Sequence, residues 1–228
     1  MPISFKVNPE FAQITEIVPG LFICGVSALT AANMKAHKIG LIINATEEVP
    51  NLRSLGDMAR AKLWLKDIPE ENIFSHLEPI ADQIHLIIAD GGKVLVHCLA
   101  GVSRSATICL AYLTKFHCKS LRAAYHLMCT QRPMVRPNLG FWRQLITFEQ
   151  LIKRNAGSVR LVRDESQDDK LLPDVYLPEV MPERPVSPDR IDAKDESRER
   201  RSSGSRSKFT PMLASVPEIC ETAALIAA

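Results

Sequence analysis

Along the first 155 positions the spacing of apolar residues changes period several times, and each change marks an element. Residues 14–24 carry Ile14, Ile17, Val18, Leu21, Phe22 and Ile23 around a Pro19-Gly20 pair, which predicts two short strands joined by a turn. Ser27 or Thr30 then caps a helix through about Lys38, stopped at Gly40. Leu41-Ile42-Ile43-Asn44 is a compact apolar run, the mark of a central strand in a parallel sheet. The stretch from Ala61 to Asp67 reads as another strand, ending on Asp67. Between Asn72 and Ala89, Ile73, Leu77, Ile80, Ile84 and Ile87 recur with the period of an amphipathic helix. Gly91-Gly92 ends it, and Val94-Leu95-Val96 returns to a short buried strand.

Three further helices are expected. One runs from near Ser103 through about Phe116 and one from Ser120 to about Thr130, where Gln131-Arg132-Pro133 breaks it. The last runs from Asn138-Leu139-Gly140 to about Arg154, with Phe141, Leu145, Phe148 and Leu151/Ile152 on one face. Strands alternating with helices predict an α/β fold, a mostly parallel central sheet flanked by helices. After Asn155 the pattern stops. Pro173, Pro178, Pro182, Pro185 and Pro188 punctuate the chain, and Arg, Ser and Glu mix from Arg198 to Lys208. The expected organisation is an N-terminal arm (1–12), one catalytic-sized domain (13–155) and a disordered Pro/Ser/Arg-rich tail (156–228).

Composition narrows the function by exclusion. A formal net charge of +2 over 228 residues gives no bulk attraction to nucleic acid or to an anionic membrane. No run reaches the ~18 apolar residues of a membrane span, so no stable membrane anchor is expected. The polar first ten residues lack the apolar centre of a secretory signal. Six cysteines are present without a C-x-x-C pair, which argues against zinc ribbons and dithiol redox motifs and for free thiols inside a reducing cell, in the cytoplasm or nucleus.

The chemistry gathers in Val94-Leu95-Val96-His97-Cys98-Leu99-Ala100-Gly101-Val102-Ser103-Arg104-Ser105. A strand feeding a tight loop and then a helix start is an anion cradle: loop amides point inward and the helix N-terminus adds partial positive charge. A thiol facing that field ionises more readily than a free one, so Cys98 is the expected nucleophile, forming a cysteinyl-phosphate intermediate. Arg104 lies where its planar fork can fold over the cradle and pair bidentately with two oxygens of a tetrahedral oxyanion. The N–H groups of Leu99, Ala100, Gly101, Val102, Ser103 and Arg104 share the binding, while their side chains matter less. Ser105 either donates to the sulfur or caps the first helical turn. His97 precedes Cys98 on a strand, so the two side chains face opposite ways, and His97 orients the loop rather than moving a proton. Asp67 is the expected general acid, stiffened by Pro69; Glu70 and Glu71 are the rival carboxylates. No metal and no cofactor enter this scheme.

This Cys-x5-Arg segment resembles the protein tyrosine phosphatase superfamily at His97, Cys98, Gly101, Arg104 and Ser105. Asp67-Ile68-Pro69 and the run Arg132-Pro133-Met134-Val135-Arg136-Pro137-Asn138 through Leu145 resemble the atypical dual-specificity protein phosphatases. Asn44-Ala45-Thr46, Val49-Pro50-Asn51 and Gly101 to Thr107 are most similar to the subgroup around dual-specificity phosphatase 14. The resemblance implies hydrolysis of phosphotyrosine, phosphoserine and phosphothreonine in protein substrates, with mitogen-activated protein kinases among the candidates. It also implies Asp67 as the acid and a supporting role for Asn138 beneath the active-site loop; from its own context Asn138 is a helix cap. Two other classes use related loops or none. A phosphoinositide or RNA phosphatase is disfavoured by the uncharged Leu99, Ala100, Val102 and Ser103. A non-catalytic phosphoprotein-binding module is disfavoured by the presence of Cys98, Arg104 and Asp67 together.

Overall fold

Three neighbouring strands of the main sheet, at Leu21–Cys24, Val94–His97 and Leu41–Asn44, are apolar runs buried along their whole length, and they pair parallel because helical connections return the chain to the same end of the sheet. The computed structural model describes residues 13–164 and 167–177; the arm at 1–12 and residues 178–228 lie outside the described residues. Strands β1 (Thr15–Val18) and β2 (Leu21–Cys24) form the antiparallel hairpin expected at Pro19-Gly20. Helix α1 (Ala31–His37) starts where Thr30 Oγ1 accepts the Asn33 N–H at 3.1 Å, and it stops where Lys38 turns left-handed at φ 55°. Strand β3 (Leu41–Asn44), β4 (Ala59–Lys62), helix α2 (Phe74–Ala89) and strand β5 (Val94–His97) follow.

Sheet order is β1-β2-β5-β3-β4, with β5 at the centre. Register places Cys24, His97, Asn44 and Lys62, the last residues of four parallel strands, side by side at one edge. Ligands of open α/β sheets bind beyond that edge. Alternation decides the layers. Leu21, Ile23, Leu41, Ile43, Val94 and Val96 face one core, built with α2, α3 (Arg104–Tyr112), α4 (Leu121–Gln131) and α5 (Leu139–Lys153). Phe22, Cys24, Ile42 and Leu95 face a smaller core with Met34 of α1. A wider turn at Leu113–His117 prolongs α3, closed by the Cys118 N–H on the Leu113 carbonyl at 2.7 Å. Among the described residues no helix is long and apolar enough to cross a membrane.

Two expectations are corrected. Strand β4 does not reach Asp67; it ends at Lys62. Among the described residues its one sheet neighbour is β3, and the Leu63 N–H on the Asn44 carbonyl at 2.8 Å is the last rung between them. Asp67 therefore sits on a loop beyond the strand. The structured chain also does not stop at residue 155. Strands β6 (Leu161–Asp164) and β7 (Gln167–Pro173) form an antiparallel hairpin, followed by a turn of 3₁₀ helix at Asp174–Tyr176. Tyr176 anchors it: its hydroxyl accepts the Trp142 indole N–H at 2.7 Å, and its ring lies edge-on to Trp142 and tilted against Tyr125. A sparse aromatic in a proline-bearing stretch gives no periodicity, and its partner stands 34 residues upstream.

Candidate active site

Cys98 follows the central strand directly, so the best-supported strand of the sheet fixes the sulfur. The loop from Cys98 to Ser103 then turns every carbonyl outward. The Cys98 oxygen meets His97 Nδ1 at 3.3 Å, and the Leu99 oxygen accepts from the Val26 N–H at 2.9 Å. Ala100 and Gly101 give theirs to the Arg132 guanidinium, at 3.3 and 2.9 Å. The Val102 oxygen accepts from the Arg136 N–H at 2.9 Å, and that of Ser103 from the Thr107 N–H and hydroxyl. With carbonyls held outside, the amides line the inside. The Gly101 N–H donates to Cys98 Sγ at 3.2 Å and the Ser105 hydroxyl at 3.1 Å. The sulfur thus receives two donors while almost fully buried.

Arg104, the first residue of α3, is buried and does fold back over the loop. Its Nη1 donates to Glu48 Oε2 at 2.7 Å and to the Leu65 carbonyl at 3.0 Å. Its Nε has no hydrogen-bond acceptor and lies 3.7 Å from Asp67 Oδ2. Burial pushes the Glu48 carboxyl up, but the hydrogen bond and charge of Arg104, with backbone donors, bring it below its ordinary value. One corner of the guanidinium is therefore fixed by protein.

Asp67 joins the same crevice despite lying beyond its strand. Its Oδ1 accepts from Ser103 Oγ at 2.6 Å and from Asn138 Nδ2 at 2.9 Å, which leaves Oδ2 as the oxygen facing Arg104. Asn138 also caps α5, accepting the Phe141 N–H at 2.9 Å, so it is both cap and support. Ser103 corrects the expectation that loop side chains matter little: its hydroxyl links Asp67 to the Asn138 N–H, 3.2 Å away. The rival Glu71 accepts the Lys66 N–H with its carboxylate, and Glu70 points into solvent. His97 is buried at the sheet edge. Desolvation, with Lys62 and Arg104 nearby, takes it down to about 4, so its imidazole is neutral at pH 7.

Three contributors carry no local sequence signal, and a fourth carries a weak one. Arg132 reads as part of a helix break, yet it holds two loop carbonyls, the Gln13 carbonyl and Thr15 Oγ1. Gly140 lies so close to the Asp67 loop that a Cβ would overlap the Pro69 carbonyl. Gln144 donates to the Glu71 carbonyl at 2.8 Å and accepts the N–H groups of Ile73 and Phe74 at 2.9 and 2.8 Å. Glu48 had one available clue: it lies in the loop just after β3, at the carboxyl edge of the sheet.

Comparison with known proteins covers the same residues. The family model described as dual specificity phosphatase, catalytic domain, matches residues 21–151. Dual specificity protein phosphatase 14 of Mus musculus is 42% identical over 168 residues, 73% of this chain and 82% of that protein. Dual specificity protein phosphatase 18 of Homo sapiens is 38% identical over 181 residues, 78% of this chain and 93% of that protein. Among solved structures, a mouse putative dual specificity phosphatase complexed with zinc tungstate superposes with a TM-score of 0.59 at 34% identity, covering 68% of this chain and 95% of that one. The matched span contains the central strand, the amide-lined loop and the loop that carries Asp67, and the chain belongs to the dual specificity phosphatases, protein phosphatases of the protein tyrosine phosphatase superfamily.

Proposed function

We propose that this phosphatase works through Cys98, Arg104, Asp67 and Ser105 in two displacements. Cys98 Sγ attacks phosphorus in line, the P–O ester bond breaks, and the leaving oxygen takes the proton carried on Asp67. The Asp67 carboxylate then removes a proton from water, which attacks the cysteinyl phosphate. The P–S bond breaks, and the Ser105 hydroxyl hydrogen-bonds the departing thiolate. The amides of Leu99 to Arg104 and the free edge of the Arg104 fork hold the phosphoryl oxygens, with His97 and Asn138 keeping loop and acid in place. The observation that carries this reading is the sulfur itself, which already takes N–H and O–H donors inside a loop whose carbonyls are all tied outward.

The substrates on this reading are phosphotyrosine, phosphoserine and phosphothreonine in proteins, with mitogen-activated protein kinases as candidates inside the cytoplasm or nucleus. Exposed Trp64 (70%) and Ile68 (43%) flank Asp67 and offer a protein substrate apolar surface. The five described cysteines are free, which suits a reducing compartment.

Leaving groups test the mechanism. Asp67→Asn keeps an oxygen acceptor at the same place but carries no transferable proton. Turnover of aryl phosphates with poor leaving groups is expected to drop about 10²–10³-fold, with little change for good ones. Equal losses across the series remove Asp67 from the role. Cys98→Ser is expected to abolish turnover, and chelators are expected to leave the wild type unaffected. A doubly phosphorylated mitogen-activated protein kinase, followed by site-specific antibodies, tests the substrate class.

A further inference from the structure

We propose that a small pocket beside the catalytic crevice, between the start of α5 and strand β7, is a subsite for one apolar side chain of the phosphoprotein substrate, close in sequence to the phosphorylated residue. This rests on the phosphoprotein reading above. The pocket holds about 270 Å³ and is walled by Pro137, Leu139, Trp142, Leu172, Pro173 and Tyr176. Small-molecule sites run from ~300 to 1,000 Å³, so this one is of the size of a single large side chain.

Its position argues for the substrate as occupant. Asn138 and Arg136 form its crevice side. The Asn138 side chain reaches Asp67, its N–H reaches Ser103 Oγ, and the Arg136 N–H reaches the Val102 carbonyl. The rim is thus bonded to the loop that holds the phosphate, and the pocket continues the substrate crevice. An extended peptide advances about 3.3 Å per residue, so residues close to the phosphorylated one come within reach of this rim.

Its walls argue for an apolar occupant. The indole N–H of Trp142 donates to the Tyr176 hydroxyl at 2.7 Å and that hydroxyl donates to the Pro137 carbonyl at 3.4 Å, so the polar atoms of both rings are partnered and their carbon surfaces are left to the pocket. The Arg136 guanidinium lies over the Tyr176 ring at 4.6 Å and braces it from the crevice side. Leu171 and Leu172 are half-buried and line this pocket, so part of their apolar surface faces it. A preformed apolar site next to a polar one adds binding energy without disturbing the chemistry.

A leucine scan with the full-length protein tests this. In alanine-based phosphotyrosine peptides, leucine is moved from four residues before to four after the phosphotyrosine, and kcat/KM is compared with that for 4-nitrophenyl phosphate. Leucine at one position is expected to raise kcat/KM about tenfold over alanine. Leu172→Gln is expected to remove that gain and Leu172→Met to retain it, with the aryl phosphate and the all-alanine peptide unchanged. Leu171→Gln serves in place of Leu172→Gln if the latter lowers the melting temperature. A flat scan overturns the subsite, as does a preference that survives these changes. A Leu172→Gln variant that speeds every phosphopeptide alike places the chain's own C-terminal segment in the pocket and also overturns it. Turnover of the aryl phosphate with none of the phosphopeptides removes phosphoprotein hydrolysis itself.

Discussion

Gly101 turns the Cys98–Ser103 loop, the proposed phosphate cradle, at φ +71°, and a Cβ there would lie 2.7 Å from both the Cys24 carbonyl carbon and Arg132 Nη2. Both neighbours are fixed, one in the sheet and one in the clamp on the loop carbonyls. Gly101→Ala is therefore expected to cost about 2 kcal/mol or more in urea unfolding, and to lower aryl phosphate turnover at least about 100-fold, because the amides no longer converge. His97, four residues earlier, makes a pH prediction. Its folded value is about 4 against an ordinary 6.5, so protonation is harder in the folded protein than in the unfolded chain. The stability it contributes is complete above pH 6.5 and is lost as pH falls through about 4. Between pH 7 and 4.5 the wild type should lose on the order of 2 kcal/mol more than His97→Asn in chemical denaturation. Parallel curves would show that His97 is not the group that titrates.

Helix α5 is the element that positions Asp67, the proposed acid. Asn138 at its cap holds Asp67, Gly140 in its first turn packs on Pro69, and Gln144 one turn later ties Glu71 and caps the start of α2. A glycine near a helix start costs up to about 1 kcal/mol against alanine; here close approach to a carbonyl requires it. Gly140→Ala should push the Asp67 loop away while leaving the Cys98 loop in place. Its signature is expected to match that of Asp67→Asn: large losses for poor leaving groups, small ones for good. A uniform loss would mean that α5 supports the cradle rather than the acid. This helix was legible as an element, since its apolar face repeats from Phe141 to Ile152. That it grips a loop some 70 residues upstream was not, because the contacts are glycine, asparagine and glutamine.

At the scale of the whole molecule the C-terminal hairpin belongs with the phosphatase fold rather than with a tail. Val159, Val175 and the partly buried Leu161 and Tyr176 join the main core. Tyr176→Phe deprives the buried Trp142 N–H of its acceptor and should cost about 1–2 kcal/mol in thermal or urea unfolding. No change would show that the 3₁₀ turn does not anchor the hairpin. The sequence pattern failed here because strands of four to seven residues closing on a single aromatic leave no periodic trace. It succeeded for the sheet because Leu41–Asn44 and Val94–His97 are apolar on both faces, as only interior parallel strands are.

Local chemistry was enough to pick out Cys98, Arg104 and Ser105 from the chain alone and to give their spacing, because one strand, one loop and one helix start fit within a dozen consecutive residues. Contacts at long range settled the rest. Packing brought Glu48 onto Arg104, Arg132 onto the loop carbonyls and the start of α5 onto the Asp67 loop. Those partners lie 31 to 71 residues apart and meet only where four parallel strands end together, a coincidence in space that spacing along the chain does not encode.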